Sequence, residues 1–271
     1  MDKEQNMESK DPMGDRMKAY EAATEQRLPR LSPIIARLDG KGFSKWTADL
    51  NRPFDERLHH VMTQTALFLA EKTHAKAAYT QSDEITISWT NDTPESQSWF
   101  DGRVLKMASI LASMASVKFN NTGVDLYDWK HRPSAYFDCR VWSVPSIDEA
   151  ANAFLWREFD CKKNAISQAC RHYHSHNQMM NKNGEQMIQM LADQKVVFED
   201  YPSWARRGTY IFRRIIERCL TPEEMARIPE QFRPTGPIMK TTYMVESPPD
   251  GIQFCMNKVG VLFRGEPRSD R

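Results

Sequence analysis

The feature that most constrains this chain is the order in which its apolar periodicity changes between residues 32 and 142. Residues 32–38 (SPIIARL) read as a short buried strand, broken by Asp39-Gly40-Lys41-Gly42, whose two glycines suit an unusual backbone path. Leu58, Val61, Met62, Phe68 and Leu69 then recur at helical spacing, which predicts an amphipathic helix over residues 55 to about 76. Residues 77–81 read as a strand and Ser82-Asp83-Glu84 as a turn. Ile85, Ile87 and Trp89 alternate with Thr86 and Ser88, as in the return strand of a hairpin. Phe100, Val104, Met107, Leu111 and Met114 mark one face of a second helix over residues 99 to about 119. Phe137, Cys139 and Val141 mark one side of a strand over residues 136–142. The order βαββαβ predicts a ferredoxin-like α/β (α+β) fold, in which the third strand inserts antiparallel between the first and the second. That topology brings Asp39 beside the Asp83-Glu84 pair from about 45 residues away.

Past Pro145 the pattern becomes helical. Ser146-x-x-Glu149 is a capping box that opens a long helix running through Trp156 and Arg157 toward His176. A polar linker over 177–184, a short helix over 185–193 and an arginine-bearing strand over 208–216 follow. Thr221-Pro222-x-Glu224 starts another helix, and Pro248-Pro249-Asp250-Gly251 reads as a turn between two strands. The chain therefore divides into a loose leader (1–13), a catalytic unit (14–145) and a helical and strand C-terminal region (146–271). Its 271 residues, 40% hydrophobic and 27% charged, suffice for a real core, which rules out global disorder. Lys plus Arg (37) nearly cancels Asp plus Glu (36), so any polyanion must be held by local patches. Five cysteines with no C-x-x-C pair argue for reduced thiols rather than a disulfide framework. No apolar run approaches the roughly 18 residues of a membrane span, and the first residues lack the apolar core of a signal peptide. The expectation is a cytoplasmic protein with no membrane partner.

Three carboxylates at one sheet edge form a natural cage for hard divalent cations, since Mg²⁺ prefers oxygen ligands and keeps positions open for substrate phosphates. Two such ions, about 3.5 to 4 Å apart, activate a hydroxyl and stabilise the leaving group in phosphoryl transfer. The plainer reading makes Asp39 and Asp83 turn residues; their convergence in one topology favours function.

Arg37-Leu38-Asp39-Gly40-Lys41-Gly42-Phe43 followed by Tyr79-Thr80-Gln81-Ser82-Asp83-Glu84 resembles the signature pair of the tRNA-His guanylyltransferase family and its tRNA-repairing relatives. Gly14-Asp15-Arg16-Met17-Lys18, Phe137-Asp138-Cys139-Arg140, Pro145-Ser146, Trp156-Arg157-x-x-Asp160-Cys161-x-x-Asn164 and Arg207-Gly208-Thr209 resemble further family elements in the same order. The collinear likeness runs from residue 14 to about 214. It implies a polymerase-like palm that adds nucleotides in the 3′-to-5′ direction to the 5′ end of tRNA, with ATP and GTP as substrates, in a homo-oligomer, a tetramer by family resemblance. By the same resemblance Asp39, the Gly40 carbonyl and Asp83 would hold two Mg²⁺ ions, with Glu84 supporting the site. Arg103 and Lys106 match the family's triphosphate-contacting Arg-x-x-Lys, and residues three apart on a helix share a face. Arg52 stands where the family has a lysine used in the activation step. Lys41, Gly42, Phe43 and Ser82 would place backbone amides, an aromatic ring and a hydroxyl beside the nucleotide.

For tRNA the resemblance offers Trp156, Arg157, Lys162, Lys163 and Asn164. Residues 201–218 add five arginines, among them Arg206 and Arg207, interleaved with Trp204, Tyr210 and Phe212, a pattern suited to RNA backbone and stacked bases; the alternative is a solvated strand face. His172, His174 and His176 make a poor zinc site, because only His172 and His176 share a helical face and no cysteine pair completes it. The methionine group (Met179, Met180, Met187, Met190) reads as packing. Where the eukaryotic family pattern has His-Ile-Asn-Asn after Asp-Cys, this chain has Lys162-Lys163-Asn164-Ala165, which favours sequence-blind phosphate contact and template-dependent repair over strict addition of one guanosine to tRNA-His. A palm-type nucleotide cyclase and a noncatalytic RNA-binding module are the more distant alternatives.

Overall fold

The computed structural model describes residues 11–90 and 97–269, and its centre is a six-stranded antiparallel sheet. The strands are β1 (Ile34–Gly40), β2 (Ala77–Gln81), β3 (Glu84–Trp89), β4 (Phe137–Ser143), β5 (Thr209–Arg218) and β6 (Ile238–Glu246), in the order β4-β1-β3-β2-β5-β6. The first four reproduce the ferredoxin-like order, with β3 between β1 and β2. The helices are α1 (Pro12–Ala22), α2 (Phe43–Trp46), α3 (Glu56–Thr73), α4 (Val104–Tyr127), α5 (Ile147–Tyr173), α6 (His176–Met179), α7 (Gly184–Asp193), α8 (Ser203–Arg207) and α9 (Pro222–Ala226). No described helix is long and apolar enough to cross a membrane. Most of the leader expected over 1–13 lies outside the described residues, but Pro12 and Met13 already belong to α1, capped by the Asp11 carboxylate, which accepts from Gly14 N at 2.9 Å.

Strand alternation divides the two faces of the sheet. Ile34, Ala36 and Leu38 of β1, with Ile85 and Ile87 of β3, pack against α3 and α4. Ile35 points the other way, where Tyr79, Tyr210 and Phe212 meet Phe154 of α5. The last third of α5 carries Ala165, Ile166, Ala169 and Cys170 into a smaller core with Leu191 of α7 and Phe198. Each fully buried side chain of this size stabilises the fold by about 1.5–3 kcal/mol before entropy is counted. Asp55 caps α3, accepting from Arg57 N (2.9 Å) and Leu58 N (3.1 Å), and Ser146 caps α5 through Glu149 N (3.2 Å).

Three elements depart from the sequence reading, the first being the linker expected over 177–184, whose start is taken by the short helix α6. The second helix begins at Val104 rather than residue 99, because Gly102 adopts φ +67 and its carbonyl accepts from Leu28 N (2.9 Å), pinning a 3₁₀ turn before the helix; it then continues to Tyr127. After the turn at 248–251 the chain forms a helical turn over Gly260–Arg264 instead of a second strand. Gly208 joins α8 to β5 at φ +76, where a Cβ would stand 2.3 Å from the Tyr79 hydroxyl. That hydroxyl donates to Arg207 O at 2.8 Å and so ties the C-terminal region to β2.

Candidate active site

β1 delivers Asp39 at the moment its apolar run ends, and antiparallel register sets Asp39 opposite Glu84 on one side and Asp138 on the other. Ser82, at φ +49, and Asp83 form the tight connection from β2 to β3. The Gly40 amide donates to the Asp83 carbonyl at 3.1 Å, closing the end of β1 onto that turn. Burial raises the Asp39 carboxyl above its ordinary range, and neighbouring Asp138 raises it further against the pull of Arg37, Arg140 and Arg157. Burial and the Asp39 charge do the same to Asp83. Acids at one edge whose ionisation is disfavoured by burial and by a neighbouring acid are a standing deficit of positive charge.

Glu84 differs. Although burial raises its carboxyl, Arg157 of α5 engages both oxygens, Nε to Oε1 at 2.6 Å and Nη2 to Oε2 at 2.8 Å, and reaches Asp160 at 2.7 Å. A carboxylate held bidentately by a buried guanidinium has little capacity left for a cation, so Glu84 supports the site by fixing α5 against β3. Among the described residues no three His, Cys, Asp or Glu side chains gather as a metal cluster, which leaves Asp39 and Asp83 as the paired acids.

These acids line a cleft of about 1040 Å³ between the sheet edge, the loop of residues 42–54, and α5. Gly42, in left-handed conformation (φ +68), and Gly40 line it, as do Ser82 and Arg52, whose guanidinium donates to Thr47 O at 3.1 Å. α5 presents Arg157, Asp160, Asn164, Gln168 and Arg171 to it, one helical stripe that rises about 21 Å along the helix. Asp160, Gln168, Arg171, His172 and His59 were not singled out as cleft residues by the sequence, yet the spacing 157, 160, 164, 168, 171 on a helix already known to carry Arg157 is the signal that would have found most of them.

The Phe43 ring is buried against Trp46 (5.3 Å), Phe119 (5.4 Å) and Phe137 (5.3 Å), so it is a core side chain that also lines the cleft. Other expected residues stand elsewhere. Lys41 is exposed, with its amide on Tyr136 O (2.8 Å). Arg103 and Lys106 are not in the cleft. β3 runs from Glu84, opposite Asp39, to Trp89, opposite Ile34, and Trp89 stacks on Trp99 at 5.7 Å, so α4 starts at the far end of the sheet. There Arg103 meets Glu25 at 3.4 Å and Lys106 lies over the Phe100 ring at 4.9 Å. Trp156 is half exposed outside the cleft, between the guanidinium groups of Arg37 (5.4 Å) and Arg157 (4.3 Å). Lys163 is exposed and Lys162 half-buried on α5, and Asn164 contacts Asp160 at 3.4 Å.

The arginine track over 201–218 does not form as an open RNA surface. Tyr210 and Phe212 are fully buried, Arg207 is buried 3.7 Å from Glu158, and Arg206 donates to Tyr201 O at 2.7 Å. Arg214 donates to Val261 O at 2.9 Å and Arg218 pairs with Glu224 at 2.6 Å. The cause is that the first half of β5, Thr209–Phe212, pairs with β2 and sits in the core, while the arginines around it are held by partners within the chain. His174 Nε2 lies 3.2 Å from Met190 O, and α5 ends at Tyr173, so the three histidines fall on different elements.

Comparison with known proteins fits this geometry. A family model described as tRNAHis guanylyltransferase matches residues 14–145. A bacterial tRNA(His) guanylyltransferase-like protein, solved in complex with ATP, superposes with a TM-score of 0.70 at 39% identity, covering 73% of this chain and 87% of that one. The chain belongs to the tRNA-His guanylyltransferase family. A bacterial protein of the same description in complex with GTP gives a TM-score of 0.64 at 33% identity, over 86% of this chain and 90% of that one. The tRNA(His) guanylyltransferase of Schizosaccharomyces pombe is 31% identical over 158 residues, 52% of this chain and 55% of that enzyme. An uncharacterized protein of Acanthamoeba polyphaga mimivirus is 30% identical over 230 residues, 76% of this chain and 79% of that one.

Proposed function

We propose that this family member is a nucleotidyltransferase that extends the 5′ end of tRNA in the 3′-to-5′ direction, as template-dependent end repair. The observation that carries the reading is the pair Asp39 and Asp83, which line a cleft large enough for a nucleoside triphosphate together with an RNA terminus. In the balanced reaction a 5′-phosphate oxygen of the tRNA attacks the α-phosphorus of ATP, forming an adenylylated 5′ end and releasing pyrophosphate. The 3′-hydroxyl of incoming GTP, or of another nucleoside triphosphate, then attacks the 5′ phosphorus, releasing AMP and giving up its proton.

Asp39, the Gly40 carbonyl and Asp83 fit Mg²⁺, since Mg²⁺ takes one or two carboxylates and completes its shell with water and phosphate oxygens. When bound, Mg²⁺ supplies the positive charge that lowers the pKa of the attacking hydroxyl and steadies the leaving group. The chain's own groups do the rest. Arg157 clamps Glu84 so that α5 borders the phosphates, Arg52 and Ser82 reach the cleft from its two flanking loops, and Gly42 lets the backbone come close. Residues 14–145 act as the catalytic unit, while Lys162, Lys163 and Asn164 on α5, with Trp156, meet the tRNA. A cytoplasmic tetramer is the assembly this reading implies.

The repair reading rests on Lys162 and Lys163, whose flexible cations follow a phosphate chain without reading a base. The test offers tRNA-His and a non-His tRNA lacking its first 5′ nucleotide, both 5′-labelled, to the protein with Mg²⁺, ATP and each nucleoside triphosphate in turn. Repair extends both substrates with the base that complements the opposite strand. Extension of tRNA-His alone, by G alone whatever base opposes it, selects the strict guanylyltransferase instead.

A further inference from the structure

Part of the cleft wall is aromatic. His59, in the first turn of α3, lies flat on Trp204 of α8, ring centroids 4.3 Å apart and 8° from parallel, and both rings line the same cleft as Asp39 and Asp83. Phe54 meets Trp204 edge-on at 6.3 Å and Tyr201 at 5.2 Å, so the indole is held from a second side. Neighbouring Leu58 and Met62 make this part of the wall apolar. A flat, ordered, mostly apolar wall with one polar ring edge is the surface that suits a nucleobase rather than a phosphate.

The polar edge is unusual in what holds it. The only hydrogen-bond neighbour of the His59 ring among the described residues is Thr63 Oγ1, 3.5 Å from Nδ1, at the outer limit for a bond. Burial first, and then the neighbouring His60, push His59 down to about 4, so the ring is neutral at physiological pH and is no phosphate ligand. A neutral imidazole has one donor and one acceptor nitrogen, and the partner of one nitrogen normally decides which role the other takes. A distant hydroxyl, able to donate or accept, decides neither.

We infer that His59, oriented by Trp204, reads the base of the bound nucleotide and takes adenine and guanine alike because its tautomer is not locked. This rests on the nucleotidyltransferase reading of the cleft. Adenine offers an amino group at the position where guanine offers a carbonyl. Nε2 accepts from the first as one tautomer and donates to the second as the other. A pyrimidine is a ring shorter and leaves the contact unmade, so a pyrimidine nucleotide depends on its template base.

The experiment is calorimetric binding of each nucleoside triphosphate with Mg²⁺ and without RNA, to the full chain and to two variants. Wild type is expected to bind ATP and GTP within about threefold of each other and more tightly than CTP or UTP. His59→Phe keeps a ring on Trp204 and deletes the polar edge, so ATP and GTP are both expected to weaken by about tenfold, the scale of one hydrogen bond, with CTP and UTP unchanged. His59→Gln, whose amide carries a donor and an acceptor, is expected to recover part of the loss for both purines, which a merely structural role would not predict. If His59→Phe binds ATP and GTP as wild type does, the inference is wrong while the nucleotide reading stands. A loss confined to one purine overturns the unlocked tautomer. If wild type binds none of the four, the nucleotide reading itself fails and this inference falls with it.

Discussion

The edge of the sheet at Asp39 and the strand β5 both concentrate charge in sequence, and the fold treats them in opposite ways. At Asp39 and Asp83 two acids line a cleft, burial raises both carboxyls and the Asp39 charge raises Asp83 further, while Arg157, a cation beside them, is committed to Glu84. Along β5 and just before it, arginines are spent on internal partners: Arg207 lies beside Glu158, Arg214 reaches the Val261 carbonyl, and Arg218 is held by Glu224. The difference separates a site from a scaffold. Charge that the protein leaves unbalanced at a concave edge awaits a ligand, whereas charge that the protein balances from a distant segment is holding that segment in place.

The largest break in this comparison comes from the unbalanced side. Asp39→Asn or Asp83→Asn is expected to retain the fold and to lower nucleotide addition by roughly 10³-fold or more, since each removes one of the two charged ligands for Mg²⁺. Stability is expected to move the other way. The folded carboxyls are raised above the ordinary 3.8, so the native state keeps protons that the unfolded chain has released. Stability therefore falls as pH rises from 3.8 through the raised values, and an asparagine removes that slope. Melting curves without Mg²⁺ across this range check the sign; a variant whose melting temperature drops below wild type at neutral pH would show that the acid is structural.

On the balanced side Arg157→Ala is expected to destabilise by roughly 3–5 kcal/mol, because it strands a buried Glu84 carboxylate. The double variant Glu84→Leu with Arg157→Met, which removes both charges together, is expected to regain much of that in urea unfolding. If the double variant is as unstable as the single one, the pair is not acting as a pair. Tyr210→Phe tests the neighbouring cluster. The hydroxyl donates to Glu158 Oε2 at 2.7 Å, and that oxygen also accepts from Ile252 N at 2.6 Å. Losing one of two bonds to a buried carboxylate is expected to cost about 1–3 kcal/mol and to loosen residues 250–263, which hydrogen exchange would report.

The carboxylate edge was legible in the sequence because the strand period and the βαββαβ order admit essentially one register, and that register puts Asp39 opposite Glu84. Partnerships that depend on how α5 lies across the sheet were not legible. Nothing local to Arg157 or Arg207 names Glu84 or Glu158, and an arginine looks the same in sequence whether it awaits phosphate or fills a buried pair. Phe43 has a double role for a local reason. Gly42 turns the chain at φ +68 and Gly40 lacks the Cβ that would stand 2.3 Å from the Phe43 ring, so the ring folds against the core and meets the cleft from there. Arg103 and Lys106 stand outside the cleft, a placement their spacing did not disclose, since the helix that carries them starts at the opposite end of β3.

The smallest expected effect sharpens the comparison most. Lys162 and Lys163 are α5 cations with no ion pair among the described residues, unlike Arg157 one turn earlier on the same helix. If unbalanced charge marks a ligand site, these lysines serve RNA phosphates and contribute nothing to stability. The double variant Lys162→Ala with Lys163→Ala is then expected to leave the melting temperature unchanged while weakening all tRNAs by a similar factor. The dependence of affinity on salt carries the sharper readout: the slope of log K against log salt is expected to shrink by about 0.9 for each phosphate contact removed. An unchanged slope with weaker binding would mean that the lysines act through the shape of α5 rather than through charge. A loss confined to tRNA-His would mean that they read identity, and would return the chain to the strict member of its family.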